Sequence, residues 1–396
     1  MREVFSKNRR VFLYLAFSNL LLAFGHRIWQ GLFDNFAVER LGVGPDAVGW
    51  IQSAREVPGF LAIGVALLVL VFSEFRVMAL SVILLGVGIV FTGYATSVPM
   101  LVAATIVMSI GFHFFGPSSN GVLMMSVDKR YAPRALGLLQ SIGAFAGMIG
   151  MLAVLFLVDV VGYETLYLIV GGAVIAGGLV LLPFGGKMKG AMPARRRIRL
   201  RSRYWVFYAL AFLMGSRRHI FTTFAGYLLV RDYATIVQVM LGLRLANAAI
   251  NMVAYPFVGR LIDRFGERRI LTCTFLGLIP VFLGYAYIGF VPILFALFIV
   301  DNLLFGCNMA LTTYLQKIAV SPDELTSNLS TQETINHISA VVMPVAGGAI
   351  WVALGRQAPF LIGVGIAVAS IVVVQFMRIH DPTGAVPGGS SGCLAP

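Results

Sequence analysis

The sequence has 396 residues, of which 59% are hydrophobic and 12% charged, with a formal net charge of +13, and its mean hydropathy is +0.88. Soluble domains are roughly 45–50% apolar and about a quarter charged, so a soluble enzyme or binding module is excluded and a polytopic membrane protein is implied. Backbone groups in lipid must find partners within the protein, which leaves helix bundles or closed barrels. The apolar stretches are continuous and about 20 residues long, not alternating runs of about 10, and this selects helices.

In chain order the pattern predicts spans at 11–33, 46–72, 77–96, 99–126, 135–158 and 164–183, and then at 204–230, 234–261, 270–289, 291–318, 329–354 and 359–378. The basic, then apolar start resembles a signal peptide, but no small-residue cleavage site follows, so the first span is expected to be kept. The stretch GGKMKGAMPARRRIRLRSR at 185–203 holds eight basic residues and no acids. It reads as a linker between a bundle over 1–184 and a second over 204–380, with a Pro/Gly/Ser-rich, disordered tail at 381–396. Cys273, Cys307 and Cys393 lack metal-like spacing. With no phosphate-cradling Gly-rich loop either, neither a metal nor a cofactor is expected, and the cysteines read as apolar packing.

Loop charges set the orientation. With both termini cytoplasmic, 22 Lys and Arg fall on the cytoplasmic side and only Arg40, Arg231 and Arg356 on the outer side. This bias predicts the topology, and the expected location is the plasma (bacterial inner) membrane. It also accounts for most of the positive charge, so nucleic acid is not an expected partner. Five arginines remain inside spans, namely Arg27, Arg55, Arg217, Arg218 and Arg244.

The two sets of six spans are weak internal repeats. FGHRIWQGLF (24–33) aligns with SRRHIFTTFA (216–225), and FSEFRVM (72–78) with FGERRIL (265–271). Between spans eight and nine stands GRLIDRFGERR, 259–269. This resembles the loop signature G-x-L-x-D-R-x-G-x-R-R of the major facilitator superfamily, and with twelve spans in a 6+6 split the resemblance covers the whole chain. It implies an all-α fold of two pseudo-symmetric six-helix bundles. It also implies a conformational latch built from Gly259, Asp263, Arg264, Gly266 and Arg269, with Gly259 permitting close helix contact and Asp263 pairing at a helix end. The first-half equivalent departs from the pattern, with Leu70 and Val71 where Asp263 and Arg264 stand. Signatures of proton-coupled drug antiporters are absent: Val107 takes the place of their arginine, and span five has glycines but no Gly-Pro pair.

The resemblance implies a substrate cavity between the halves, lined by spans one, two, four, five, seven, eight, ten and eleven. The intramembrane polar residues fall largely on those spans. Span one carries His26, Arg27 and Gln30, with Asp34 just beyond on the same face. Span two has Gln52, Arg55 and Glu56; span four has His113 and Asn120; span seven has Arg217, Arg218, His219, Thr222 and Thr223. Spans eight, ten and eleven add Arg244, Asn247 and Asn251, then Asp301 and Asn308, then Gln332, Glu333, Asn336 and His337. A charge in lipid costs roughly 3 kcal/mol on insertion scales, so this segregation points to a wet, functional interior.

Counted against Glu56, Asp301 and Glu333, the five arginines leave a positive cavity, and guanidinium groups suit carboxylate and phosphate. The expected function is therefore secondary, alternating-access transport of a small organic or phosphorylated anion with proton or other ion coupling, by a monomer and without enzymatic activity. The candidate substrate residues are Arg27, Gln30, Arg55, His113, Arg217, Arg218, Thr222, Arg244, Asn247 and Asn336. Glu333, Asp301, Glu56 and His337 are the candidates for carrying a proton. Arg217 and Arg218 lie 100° apart around the helix, so one is expected to pair structurally, and Arg218, one turn from Thr222, suits the cavity better. Arg27 has Asp34 as a possible partner, Arg244 has Asp301 or Glu333, and the sequence neighbours Arg55 and Glu56 are not expected to pair. Alternatives are a multidrug, cation or sugar exporter, or a membrane receptor or enzyme that does not transport.

Overall fold

The computed structural model describes residues 9–61, 65–127, 132–185 and 201–378. Most of the basic linker, the tail after Ile379, and Lys129 and Arg130 lie outside them. The first half contains α1 (Arg9–Leu41), α2 (Pro45–Leu61 and Val65–Val71), α3 (Glu74–Gly93) and α4 (Val98–Ser126). A continuous stretch, Ala132–Gly185, turns at Gly162 (φ 75°, ψ 168°), and its two arms are α5 and α6. The second half contains α7 (Trp205–Tyr233), α8 (Val237–Phe265), α9 (Glu267–Tyr287), α10 (Val291–Gly306 and Met309–Ile318), α11 (Pro322–Leu354) and α12 (Ala358–Val374).

The described helices thus make twelve segments at the expected positions, and no strand occurs among the described residues. Eight of the helical stretches are long and apolar enough to cross a membrane by themselves. The difference has physical causes. One of the eight, Ala135–Phe184, holds two spans. The uncounted α2 is in two pieces, α12 has only 17 residues, and α7 carries its Arg-Arg-His triplet at mid-length. Helix α1 corrects the sequence reading, continuing eight residues past 33 to Leu41. Asp34 therefore belongs to the helix, buried at 5% exposure.

Small residues set the closest helix contacts, as expected where no hydrophobic effect drives helices together in lipid. A Cβ on Gly88 would lie 2.2 Å from the Met108 backbone nitrogen, and one on Gly111 would lie 2.4 Å from the Ser81 carbonyl oxygen. Helices α3 and α4 therefore touch backbone to backbone. Helix α3 also packs on the α5–α6 stretch, as does α1, while in the second half α9 packs on α12 and α7 on α11 and α12.

The halves meet chiefly through α2 and α11. A Cβ on Gly49 would fall 2.3 Å from the Pro344 carbonyl oxygen. Pro344 lacks an N–H and opens helix α11 locally, and Ser53 fills the gap: its Oγ donates to the Val341 carbonyl (2.5 Å) and accepts from the Val345 N–H (3.2 Å). Asn35 donates to the Thr235 carbonyl (2.9 Å), Tyr227 to the Val43 carbonyl (2.8 Å) and Gln238 to Asp159 (2.6 Å). All of these ties lie toward the end of the bundle distant from the chain termini.

Candidate functional site

Beneath those ties lies a cavity of about 930 Å³ bordered by α1, α2, α4, α5, α7, α8, α10 and α11. Every substrate candidate from the sequence borders it except Arg217. Asp301, Glu56, His337 and Glu333 border it as well.

Its charges are organised into pairs. Arg217 is 1% exposed and its Nη1 contacts Asp301 Oδ1 at 2.6 Å. Its Nε and Nη2 are buried without hydrogen-bond partners. Arg217 is therefore a structural cation joining α7 to α10, and its assignment to substrate is corrected. Arg218, 100° around the helix, borders the cavity with its guanidinium 4.0 Å from the Phe305 ring centroid. Thr222, one turn along, donates to the Arg218 carbonyl (2.9 Å).

The second pair crosses the halves: Arg244 Nη2 on α8 lies 3.0 Å from Asp34 Oδ2 on α1. Asp34 is the partner neither expectation chose for Arg244, and it is not left for Arg27. The third pair overturns another expectation, because Arg55 Nη2 reaches its neighbour Glu56 Oε1 at 2.8 Å. The 100° between adjacent positions separates the Cα–Cβ bonds, and the long arginine stem folds back across that angle. With Asp34 included, the five intramembrane arginines face four carboxylates, so the surplus positive charge is smaller than the sequence suggested.

What remains outside the pairs is Arg27, Arg218 and Glu333, none of which makes an ion pair among the described residues. Arg27 leans on α5 at Gly147, where a Cβ would sit 2.7 Å from Arg27 Cγ, so a larger residue there would displace the stem. Around these charges are neutral polar groups. His219 Nε2 lies 3.3 Å from Asn336 Oδ1, Asn302 donates to Asn251 (2.9 Å), and Asn247 Oδ1 is buried without a hydrogen-bond partner. Gln30 borders the cavity too. The sequence reading named Asp34 only as a partner for Arg27, and it missed Tyr255 and Phe305, which also border the cavity. The last two are aromatic and carry no signal against an apolar background, although a Cβ on Gly306 would lie 2.5 Å from the Tyr255 ring and so reveals its seat.

The third cluster joins the halves at the cavity wall. Glu56 Oε2 lies 3.3 Å from His337 Nδ1 and 3.7 Å from His113 Nε2. His113 Nδ1 in turn lies 2.9 Å from Ser109 Oγ and 3.0 Å from the Ser109 carbonyl oxygen.

The latch residues lie away from this cavity. A Cβ on Gly259 would meet nothing within 4 Å, so Gly259 makes no close helix contact here. Asp263, Arg264 and Arg269 are exposed, and Gly266 (φ 80°, ψ 157°) is the hinge between α8 and α9. Ion pairs observed at this end join Lys317 Nζ to the buried Glu267, at 2.6 Å, and Arg201 to Glu324, at 2.7 Å.

Twelve helices around a charged cavity of about 930 Å³ between two halves are the architecture of a membrane transporter. The family model of the Major Facilitator Superfamily matches residues 15–319 and 206–391, and the chain belongs to that superfamily. Solved structures share the fold at low identity. A nucleoside transporter, NupG, is 13% identical with a TM-score of 0.74, covering 93% of this chain and 98% of that one. A bacterial homologue of the human lysosomal transporter Spinster, inward-facing and occupied, is 14% identical with a TM-score of 0.71, covering 93% and 95%. A D-xylose-proton symporter is 12% identical with a TM-score of 0.69, covering 94% and 98%. No curated protein sequence matches. The chain is a transporter of the secondary kind and not an enzyme.

Proposed function

We propose that this transporter moves a small organic or phosphorylated anion, coupled to protons, with Arg27 and Arg218 as the groups that hold its charge. The observation that carries the reading is the charge left after pairing. Two guanidinium groups, one from each half, border the cavity without carboxylate partners, and Glu333 is the one acid there outside an ion pair among the described residues. A guanidinium cannot escape its desolvation cost by losing a proton, so an anion that bridges Arg27 and Arg218 draws the halves together. Glu333 then becomes the first candidate for the coupling proton. Asp301 and Glu56 are held by arginines, and His337 is a secondary candidate.

The positive-inside bias supports placing both termini in the cytoplasm, in a bacterial inner membrane. In that orientation the ties between the halves lie on the outer side, and the conformation is inward-open. We assign the latch of Gly259, Asp263, Arg264, Gly266 and Arg269 to the opposite state, since here Asp263 is exposed and Gly259 free. The two bundles, 1–184 and 204–380, separated in sequence by the linker 185–203, are the bodies that rock, each chain acting as a monomer. Nucleoside and xylose are the substrates of solved proteins that share only the fold, and a neutral sugar would leave the two cations bordering the cavity unmatched.

A thermal-shift screen of purified protein against carboxylates, organophosphates, neutral sugars and cationic drugs tests this. Stabilisation by anions, abolished in Arg218→Ala, is expected. Stabilisation by sugars or cations alone, unchanged in Arg218→Ala and Arg244→Ala, would contradict it.

A further inference from the structure

Glu56, His113 and His337 sit on three helices, α2, α4 and α11, yet one ligand atom of each lies within 4.8 Å of the others. The two contacts to Glu56 Oε2, 3.3 Å to His337 Nδ1 and 3.7 Å to His113 Nε2, bracket the edge of a tetrahedron around an ion held at about 2.0–2.2 Å.

The hydrogen bonding around His113 prepares it as a ligand. Ser109 Oγ spends its single hydrogen on the Arg55 carbonyl, so toward His113 it can only accept. The carbonyl of Ser109 can only accept as well, so His113 Nδ1 must carry the ring proton. With Nδ1 occupied by that proton, Nε2 is the ring nitrogen that faces Glu56 Oε2, at 3.7 Å. Its lone pair and the carboxylate oxygen need a cation between them, either a second ring proton or a metal ion. A backbone or side-chain acceptor on the remote ring nitrogen is also the arrangement that orients metal-bound histidines.

His337 Nδ1 is buried and its contact is Glu56 Oε2 at 3.3 Å, without hydrogen-bond geometry between them. Its ring fits a notch in α2 that Gly59 keeps open, since a Cβ on Gly59 would lie 2.5 Å from the ring. Arg55 holds the other carboxylate oxygen, Oε1, at 2.8 Å. It leaves Oε2 for an ion, and its charge makes the site weaker than a closed structural metal site.

We propose that Glu56, His113 and His337 form a binding site for a divalent transition-metal ion of the zinc class, with the fourth position open to the cavity. Two imidazoles and one carboxylate suit such an ion better than magnesium or calcium, which prefer all-oxygen shells. Glu56 and His113 belong to the first half and His337 to the second, so a bound ion ties the halves together in this conformation. The inference stands apart from the anion reading, because it uses neither Arg27 nor Arg218.

The test is a Co²⁺ titration of the full-length, tag-free protein in detergent, followed by the visible bands of tetrahedral cobalt and by their displacement with Zn²⁺. One ion per chain is expected, with affinity at least tenfold weaker in His337→Gln and in His113→Gln taken separately. Binding is expected to survive replacement of Cys273, Cys307 and Cys393 by serine. Elution as a single species and an unchanged metal-free Tm show that each variant is folded, and two separate histidine variants guard against one failing to fold. No saturable binding, or binding unchanged in both histidine variants, would overturn the proposal.

Discussion

At the scale of single residues, the adjacent arginines of α7 have opposite environments. Arg217 is enclosed with Asp301, whereas Arg218 borders the cavity against Phe305. Removing one member of a buried ion pair leaves the other charge uncompensated, at a cost of about 3–5 kcal/mol, whereas replacing both by apolar groups is often neutral. Arg217→Met is therefore expected to lower the Tm sharply, and Arg217→Met with Asp301→Leu to regain most of the loss. A thermal melt in detergent reads this. Equal damage from the single and double variants would mean that the pair is not what holds Arg217. This division between the two arginines was partly legible in the sequence, since the 100° step forbids both from facing one point. Which acid each arginine takes was not. Asp34 was expected beside Arg27, but the helix continues past Phe33 to Leu41 and carries Asp34 to Arg244 instead. The partner is set by how α1 packs on α8, which no local pattern encodes.

At the scale of helices, α2 and α11 seal the halves through backbone contact at the end distant from the chain termini. A Leu side chain at Gly49 has no space against the Pro344 carbonyl, 2.3 Å from the first added carbon. Gly49→Leu is expected to hold these ends of the two halves apart, lengthening the distance between spin labels at Glu164 and Arg356 relative to the otherwise identical labelled protein. An unchanged distance distribution would contradict the seal. At the other end, Gly266 joins α8 to α9 with φ 80° and ψ 157°, a conformation nearly closed to residues bearing a Cβ. Gly266→Ala is expected to cost about 1–3 kcal/mol, read as a lower Tm with an unchanged helical circular-dichroism spectrum below the transition. A Tm equal to that of the parent protein would mean the turn relaxes freely. The sequence located this turn through its signature, but it also suggested a close contact at Gly259. The signature carries no information about which conformational state makes that contact.

At the scale of the molecule, the bundle was readable because the signal is local. Twenty apolar residues demand a helix wherever they occur, and the arginine bias of the loops orients the whole set. The segregation of polar residues onto the cavity-lining helices was equally readable, because a charge facing lipid is excluded by its cost. The convergence of Glu56, His113 and His337 was not, since three residues on three helices have no common spacing. The central claim concerns the charge that remains after pairing: Arg27 from the first half and Arg218 from the second hold an anion between them. It is tested most directly by exchange across proteoliposomes containing the purified protein, comparing labelled organophosphates and carboxylates with neutral sugars and cations. The account predicts saturable anion exchange that falls at least tenfold in Arg27→Ala and in Arg218→Ala and is partly restored by lysine at either position. Exchange of sugars or cations alone, or anion exchange equally fast in both alanine variants, would contradict it.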